Sequence, residues 1–168
     1  MPSTRVASIA SAAFVIFSIS SVPFTSPRSN IAVVRTDACS LLSTSEASTA
    51  LGQASQPGVP EFGTGCVWSR ESPPRDTSRQ LHVNFHSPNA YKIAKGGNVI
   101  TKVEPVSGVG DDAFYQLYPK GATPFLWVKK GTQAISIRIS TPTKNAPFTE
   151  AELEAKLLVL GKAAAAKM

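Results

Sequence analysis

The 168-residue chain is 42% hydrophobic and 17% charged, with a net charge of +6. Once a leader is set aside, that length fits one domain, large enough to bury a core without a metal or dense disulfides. Its 17 Lys and Arg are scattered against 11 Asp and Glu, and the densest basic pair, Lys129-Lys130, lacks the interleaved aromatics that single-stranded nucleic acid needs, so no nucleic-acid partner is expected.

Residues 1–24 read as a signal peptide or N-terminal anchor. Met1 to Arg5 is short and ends in a positive charge, and Val6 to Pro27 carries no charge at all. Its most apolar stretch runs from Ala12 to Phe17, the pattern of a secretory signal. Ser18-Ile19-Ser20 offers small residues to a signal peptidase. Left uncleaved, the uncharged run is just long enough to span a bilayer, although its serines and Pro23 weaken it as an anchor. Contact with a membrane is expected only through this segment. Residues 25–36 read as a Ser- and Pro-containing linker, and 37–168 as a single α+β domain.

Cys39 and Cys66 are the two cysteines of the chain. Cys39 follows Thr36-Asp37-Ala38 rather than the apolar run itself, so it does not read as a lipid-attachment site. In an oxidising compartment two such thiols favour a bridge, which would stabilise the fold by about 3 kcal/mol through loop closure. The alternatives are a reactive thiol or a metal site, and two cysteines without further close ligands make a poor zinc site.

Ser43 and Glu46 form a capping box for a short helix from about Thr44 to Leu51, stopped by Gly52. Residues 53–64 are rich in Pro and Gly and read as loop. Cys66 to Arg70 reads as a strand with Cys66 and Trp68 on one face. Leu81, Val83 and Phe85 alternate with His82, Asn84 and His86, the period of a half-buried strand. Ser87-Pro88 fits the start of a short helix through Tyr91 to Ala94, ended by Gly96-Gly97. Val99 to Val106 reads as extended, broken by Pro105. After a turn at 107–112, strands follow at 113–118 and 125–130, and Gly131-Thr132 turns the chain into a strand at 133–140 with Ile135, Ile137 and Ile139 inward. A second capping box, Thr149 and Glu152, opens a helix from about Glu150, with Phe148 and Leu153 as a staple. Leu153, Leu157, Leu160 and Ala164 form its apolar stripe.

Short connections between adjacent strands favour an antiparallel sheet. The N-terminal short helix and the C-terminal helix each have an apolar stripe to bury, and together they cover one face. The expected fold is a two-layer α+β domain.

Several of these residues carry a resemblance. Asp37-Ala38-Cys39-Ser40-Leu41-Leu42, with Glu46 and Leu51-Gly52, resembles the opening of small exported bacterial proteins of unknown function. In those proteins an Asp-Pro-Cys-Ser-Leu-Leu-Thr run leads into a helix ending in Leu-Gly; Ala38 stands here in place of the proline. Cys66-Val67-Trp68, Gly108-Val109-Gly110-Asp111-Asp112-Ala113 and Val128-Lys129-Lys130-Gly131 resemble their later motifs. The resemblance spans roughly 37–166 and implies a fold and an exported location rather than an activity. Many of those proteins are lipoproteins, whereas this chain has no cysteine placed for a lipid.

No catalytic, cofactor-binding or metal-binding residue is assigned from the sequence. His82 and His86 read as part of a solvent-facing polar row rather than as a base or a metal pair. Asp111 and Asp112 lack calcium-loop spacing and point to opposite faces, and Gly108-Val109-Gly110 lacks the third glycine and helix of a dinucleotide site. Trp68, Tyr91, Tyr115, Tyr118, Phe125 and Trp127 are candidates to line an apolar pocket, with Trp68, Tyr91, Tyr115 and Trp127 the narrower set, although aromatics in strands are more often core. The reading that follows is an exported, non-catalytic envelope or secreted domain binding a ligand or a protein partner. The alternatives are a hydrolase with a site assembled from distant residues, or a structural accessory subunit.

Overall fold

A computed structural model describes residues 37–75, 78–119, 122–142 and 147–168. The expected leader at 1–24 and linker at 25–36 lie outside the described residues.

The chain enters through a 3-10 turn at Ala38–Ser40, where the Asp37 carboxylate accepts from Cys39 N at 3.0 Å. Helix α1 (Thr44–Leu51) begins at the Ser43–Glu46 capping box and ends at Gly52, whose φ of 61° is the left-handed stop that glycine adopts without a Cβ clash. Its last carbonyl, Leu51 O, accepts from Arg79 Nη1 at 2.6 Å. That bond satisfies an orphan helix-end acceptor and ties α1 to the approach of the third strand.

Seven strands follow among the described residues: β1 (Val59–Glu61), β2 (Gly65–Ser69), β3 (Gln80–His86), β4 (Lys102–Val106), β5 (Asp112–Leu117), β6 (Phe125–Lys130) and β7 (Gln133–Ser140). They form one antiparallel sheet in the order β1-β2-β3-β7-β6-β5-β4. Strand β1 corrects the reading of 53–64 as loop throughout. It is three residues long and contains Pro60, so no local pattern announces it. Of the extended stretch expected at 99–106, only Lys102–Val106 is a named strand, and Val99-Ile100 lie in a turn. Pro60 and Pro105 therefore occupy the two outer strands, where a missing N–H costs no ladder bond and discourages edge pairing.

One face of the sheet carries the main core. Leu81, Val83, Leu126, Val128, Ile135, Ile137 and Ile139 meet Leu51 of α1 and Leu153, Leu157, Leu160 and Ala164 of helix α3 (Glu150–Lys167). The α3 stripe is the one its heptad-like spacing predicts. Gly161 belongs to it: a Cβ there would come within 2.5 Å of Leu126 Cδ2, so the glycine lets the helix settle on the sheet. The Thr149–Glu152 capping box is present, and Lys156 Nζ sits 4.6 Å from the centroid of the Phe148 ring beside it. This is the two-layer α+β arrangement, with α1 and α3 on one face.

Helix α2 (Pro88–Gly96) lies on the opposite face. Its N-cap Ser87 Oγ accepts from Ala90 N at 3.1 Å. Tyr91 packs its ring 5.2 Å from Phe114 and 6.2 Å from Trp127, over Ala134. Nine residues make a helix only about 14 Å long, enough to cover one end of that face. The other end is left open.

Candidate functional site

Cys39 and Cys66 are joined, with Cα atoms 5.0 Å apart. The bridge pins the 3-10 turn to β2, under the core-facing side of the sheet. Trp68 lies beside it, 1% exposed, and the backbone of Gly58 crosses so closely that a Cβ there would stand 2.5 Å from Cys66 Sγ.

The structure divides the four pocket candidates between the two faces. Trp68 and Tyr115 belong to the main core. Tyr115 donates its hydroxyl to Glu154 O of α3 at 2.7 Å, and burial, then the Glu154 charge, pushes its phenol up to about 12. Tyr91 and Trp127 lie across the sheet, beneath α2. Trp127 donates Nε1–H to Gln116 Oε1 at 3.0 Å. Burial, then the neighbouring Asp112, raises the Tyr91 phenol well above its ordinary range. The four are thus split between two separate core clusters. Of the wider set, Tyr118 and Phe125 line a cavity at the open end of the second face.

That open end is built by register. His82 of β3 lies opposite Arg138 of β7, which lies opposite Phe125 of β6, and Gln80 lies opposite Ser140. Side chains two residues apart share a face, so His82, Arg138, Ser140, Phe125 and Tyr118 all project on the side away from α1 and α3. Tyr118, Ala122, Thr123, Phe125, Arg138, Ser140 and Thr141 line a pocket of about 430 Å³ there. The Tyr118 and Phe125 rings are 5.6 Å apart at their centroids, and the Arg138 guanidinium carbon stands 5.0 Å from the Phe125 centroid. Arg138 forms no ion pair among the described residues, and its Nε is buried without a hydrogen-bond partner.

Beside it runs a hydrogen-bonded chain. Glu61 Oε2 lies 3.0 Å from His82 Nδ1, and Ser140 Oγ lies 3.2 Å from His82 Nε2. With a carboxylate at Nδ1, the neutral imidazole keeps its proton on that nitrogen and accepts from the Ser140 hydroxyl on the other. His86 is placed similarly, with Nε2 2.8 Å from Ser136 Oγ and its ring 4.4 Å from that of Trp127. The polar row at His82, Asn84 and His86 does share a face, but it is not solvated as its composition suggests: His82 is only 7% exposed. Glu61 comes from the unrecognised edge strand, and Arg138 sits among the isoleucines of β7. Neither gives a local signal of its own.

Burial holds both histidines below their usual pKa. At His82 the Glu61 hydrogen bond and charge oppose that effect and the Arg138 charge adds to it. A folded-state histidine pKa below the unfolded value means that the unfolded chain binds protons first on acidification. Their contribution to stability is therefore whole above about pH 6.5 and is lost as pH falls through that value toward the folded pKa. The melting temperature of the protein should fall between pH 7 and pH 5 more steeply than that of a His82→Gln/His86→Gln variant. Parallel pH profiles for the two proteins would count against buried neutral imidazoles.

The two aspartates after Gly110 diverge. Asp111 Oδ2 accepts from Gly131 N at 2.6 Å, closing the β6–β7 turn, and Asp112 pairs with Lys95 Nζ at 2.6 Å. A second concavity lies between α1 and α3, lined by Thr49, Ala50, Lys156, Val159 and Leu160 among others, with a volume of about 400 Å³; its walls are largely apolar. No set of three or more His, Cys, Asp or Glu among the described residues could hold a metal ion, and no helix among them is long and apolar enough to cross a membrane. Comparison with protein-family models, curated proteins and solved structures finds no match to this chain.

Proposed function

We propose that this protein is an exported envelope or secreted binding domain, taking a small ligand in the open end of its second sheet face. Export is supported by the charged start and apolar run of residues 1–24 and by the Cys39–Cys66 bridge, which suits an oxidising space. The binding reading is carried by Arg138, a half-buried guanidinium that forms no ion pair among the described residues and stands at the wall of a pocket. Burying a charge without its acceptors is costly, and a bound molecule would supply them. The volume lies within the range of small-molecule sites. Titrating the disulfide-bonded protein with a fragment library, followed by amide NMR, tests this. Shifts concentrated at Thr123, Phe125, Arg138 and Thr141 are the expected result. Shifts scattered over the surface, or confined to the α1–α3 groove, would sink it.

A second reading, hydrolysis, draws on the Glu61–His82–Ser140 chain, which has the acid–base–hydroxyl order of a serine nucleophile and its base. It stands second because His82 already satisfies both neighbours as a structural hydrogen-bond partner. An active-site-directed fluorophosphonate adduct on Ser140, seen by mass spectrometry, would promote it; an unmodified Ser140 would retire it.

A further inference from the structure

Resting on the binding reading, we propose that the pocket recognises an oxyanion headgroup, a carboxylate or a phosphate, carried on a small apolar or aromatic body. Each half of that description comes from a different part of the lining. Arg138 supplies the charge. Its guanidinium is fixed against Phe125 at 5.0 Å, and its buried Nε has no partner. A guanidinium offers five donors in a planar fork that matches two oxygens of one anion.

The carboxylate that could have neutralised it is already engaged. Glu61 is drawn to His82 Nδ1 at 3.0 Å, on the β1 side of the histidine, while Arg138 flanks the same histidine from β7. No acidic residue lines the pocket. Thr123 and Thr141 line the same pocket, and a threonine hydroxyl can add a neutral hydrogen bond to an oxyanion. The apolar body has its own seat in the tilted Tyr118–Phe125 pair, with ring centroids 5.6 Å apart. Flat rings packing against such a pair gain from offset or edge contacts as well as from burial.

The anion and the apolar wall occupy one cavity, so neither alone should bind as well as the two joined. The probes are phenylacetate, phenyl phosphate, the neutral phenylacetamide, and acetate and inorganic phosphate as bare anions. Each is titrated into the disulfide-bonded protein and followed at the backbone amides of Thr123, Phe125 and Thr141. Phenylacetate or phenyl phosphate should bind at least about tenfold more tightly than phenylacetamide, which loses the charge-assisted bond, and than either bare anion, which keeps that bond but loses the buried ring. Which of the two arms binds better separates a carboxylate source from a phosphate source.

Arg138→Gln should abolish the preference for the acid over the amide, and Arg138→Lys should retain part of it, because charge survives while the fork is lost. Equal binding of phenylacetate, phenyl phosphate and phenylacetamide to the wild-type protein, with pocket amides shifting, would overturn the anion assignment and leave the pocket as the binding site. No pocket shift with any probe at millimolar concentration would overturn both. The wild-type comparison needs no variant to fold.

Discussion

Reduction of the Cys39–Cys66 bridge is expected to lower the stability of the folded domain by about 3–4 kcal/mol, the value for a closed loop of this kind between residues 27 apart in sequence. The closed loop contains α1, β1 and the start of β2, so the bridge restricts much of the N-terminal third of the domain in the unfolded chain. Its native surroundings add to the effect. Trp68 is 1% exposed beside it, and Gly58 is packed against Cys66 Sγ, so freed thiols would have no room to relax without opening the β1–β2 region. Calorimetry with and without reductant measures this, with thiol alkylation confirming that the bond has opened. The melting temperature should fall by roughly 10 °C, as that free energy implies for a domain of this size. An unchanged midpoint with both cysteines alkylated would mean that the bridge carries no folding role. Cys39→Ala/Cys66→Ala should reproduce the reduced protein.

The second large effect is expected at Gly110. Its φ is 59°, a left-handed backbone, and a Cβ there would run into the Lys129 carbonyl oxygen and approach Val128 Cγ1 to 3.0 Å. The carbonyl belongs to β6 and cannot swing away: it accepts from Asp111 N at 2.8 Å. Gly108, two residues earlier, has a φ of 75° but nothing within 4 Å of its Cβ position. The pair separates two costs. Gly108→Ala should lose about 1–2 kcal/mol, the conformational cost of a left-handed residue. Gly110→Ala should lose about 3 kcal/mol or more, at the upper end of ordinary single substitutions, because steric overlap is added. Denaturant midpoints of the two variants decide the matter; equal losses would show that the Lys129 carbonyl gives way.

Those two glycines lie in a segment readable from sequence only as a turn, and the same limit applies elsewhere. The alternation in β3 and β7, the two capping boxes and the α3 stripe are local patterns, and local patterns carried the fold class. Strand β1 has no such pattern, because three residues including Pro60 hold their place only through pairing with β2. The aromatic candidates divide between the two faces for a different reason. Along β5 the parity of Tyr115 differs from that of Phe114, and along the sheet Trp68 and Trp127 fall on opposite faces. Pooling aromatics by type loses that distinction, whereas following register across the strands keeps it. Arg138 is the hardest case. In a strand whose isoleucines face inward, an arginine between them reads as solvated. Its half-burial arises from Phe125 on the next strand and from a helix too short to cover the whole face, and neither fact is local to β7.

The strand order has a consequence for how this site comes into being. Strands β1, β2 and β3 form one meander and β4, β5, β6 and β7 another, and within the sheet the two are joined along the β3–β7 pairing, seven residues in register from Gln80↔Ser140 to His86↔Ala134. Every hairpin inside a meander closes a short loop, whereas this seam joins residues roughly fifty to sixty apart in the chain and must be closed late and slowly. Glu61 and His82 come from one meander, and Phe125, Arg138 and Ser140 from the other. The pocket lining lies wholly in the second meander, so what the last zippering step adds is its hydrogen-bonded neighbours, Glu61 and His82, brought against Ser140 and Arg138. A chain cut in the turn at Val99-Ile100 would leave the whole pocket lining in one half and the Glu61–His82 pair in the other, to be rejoined only by reannealing along that one seam.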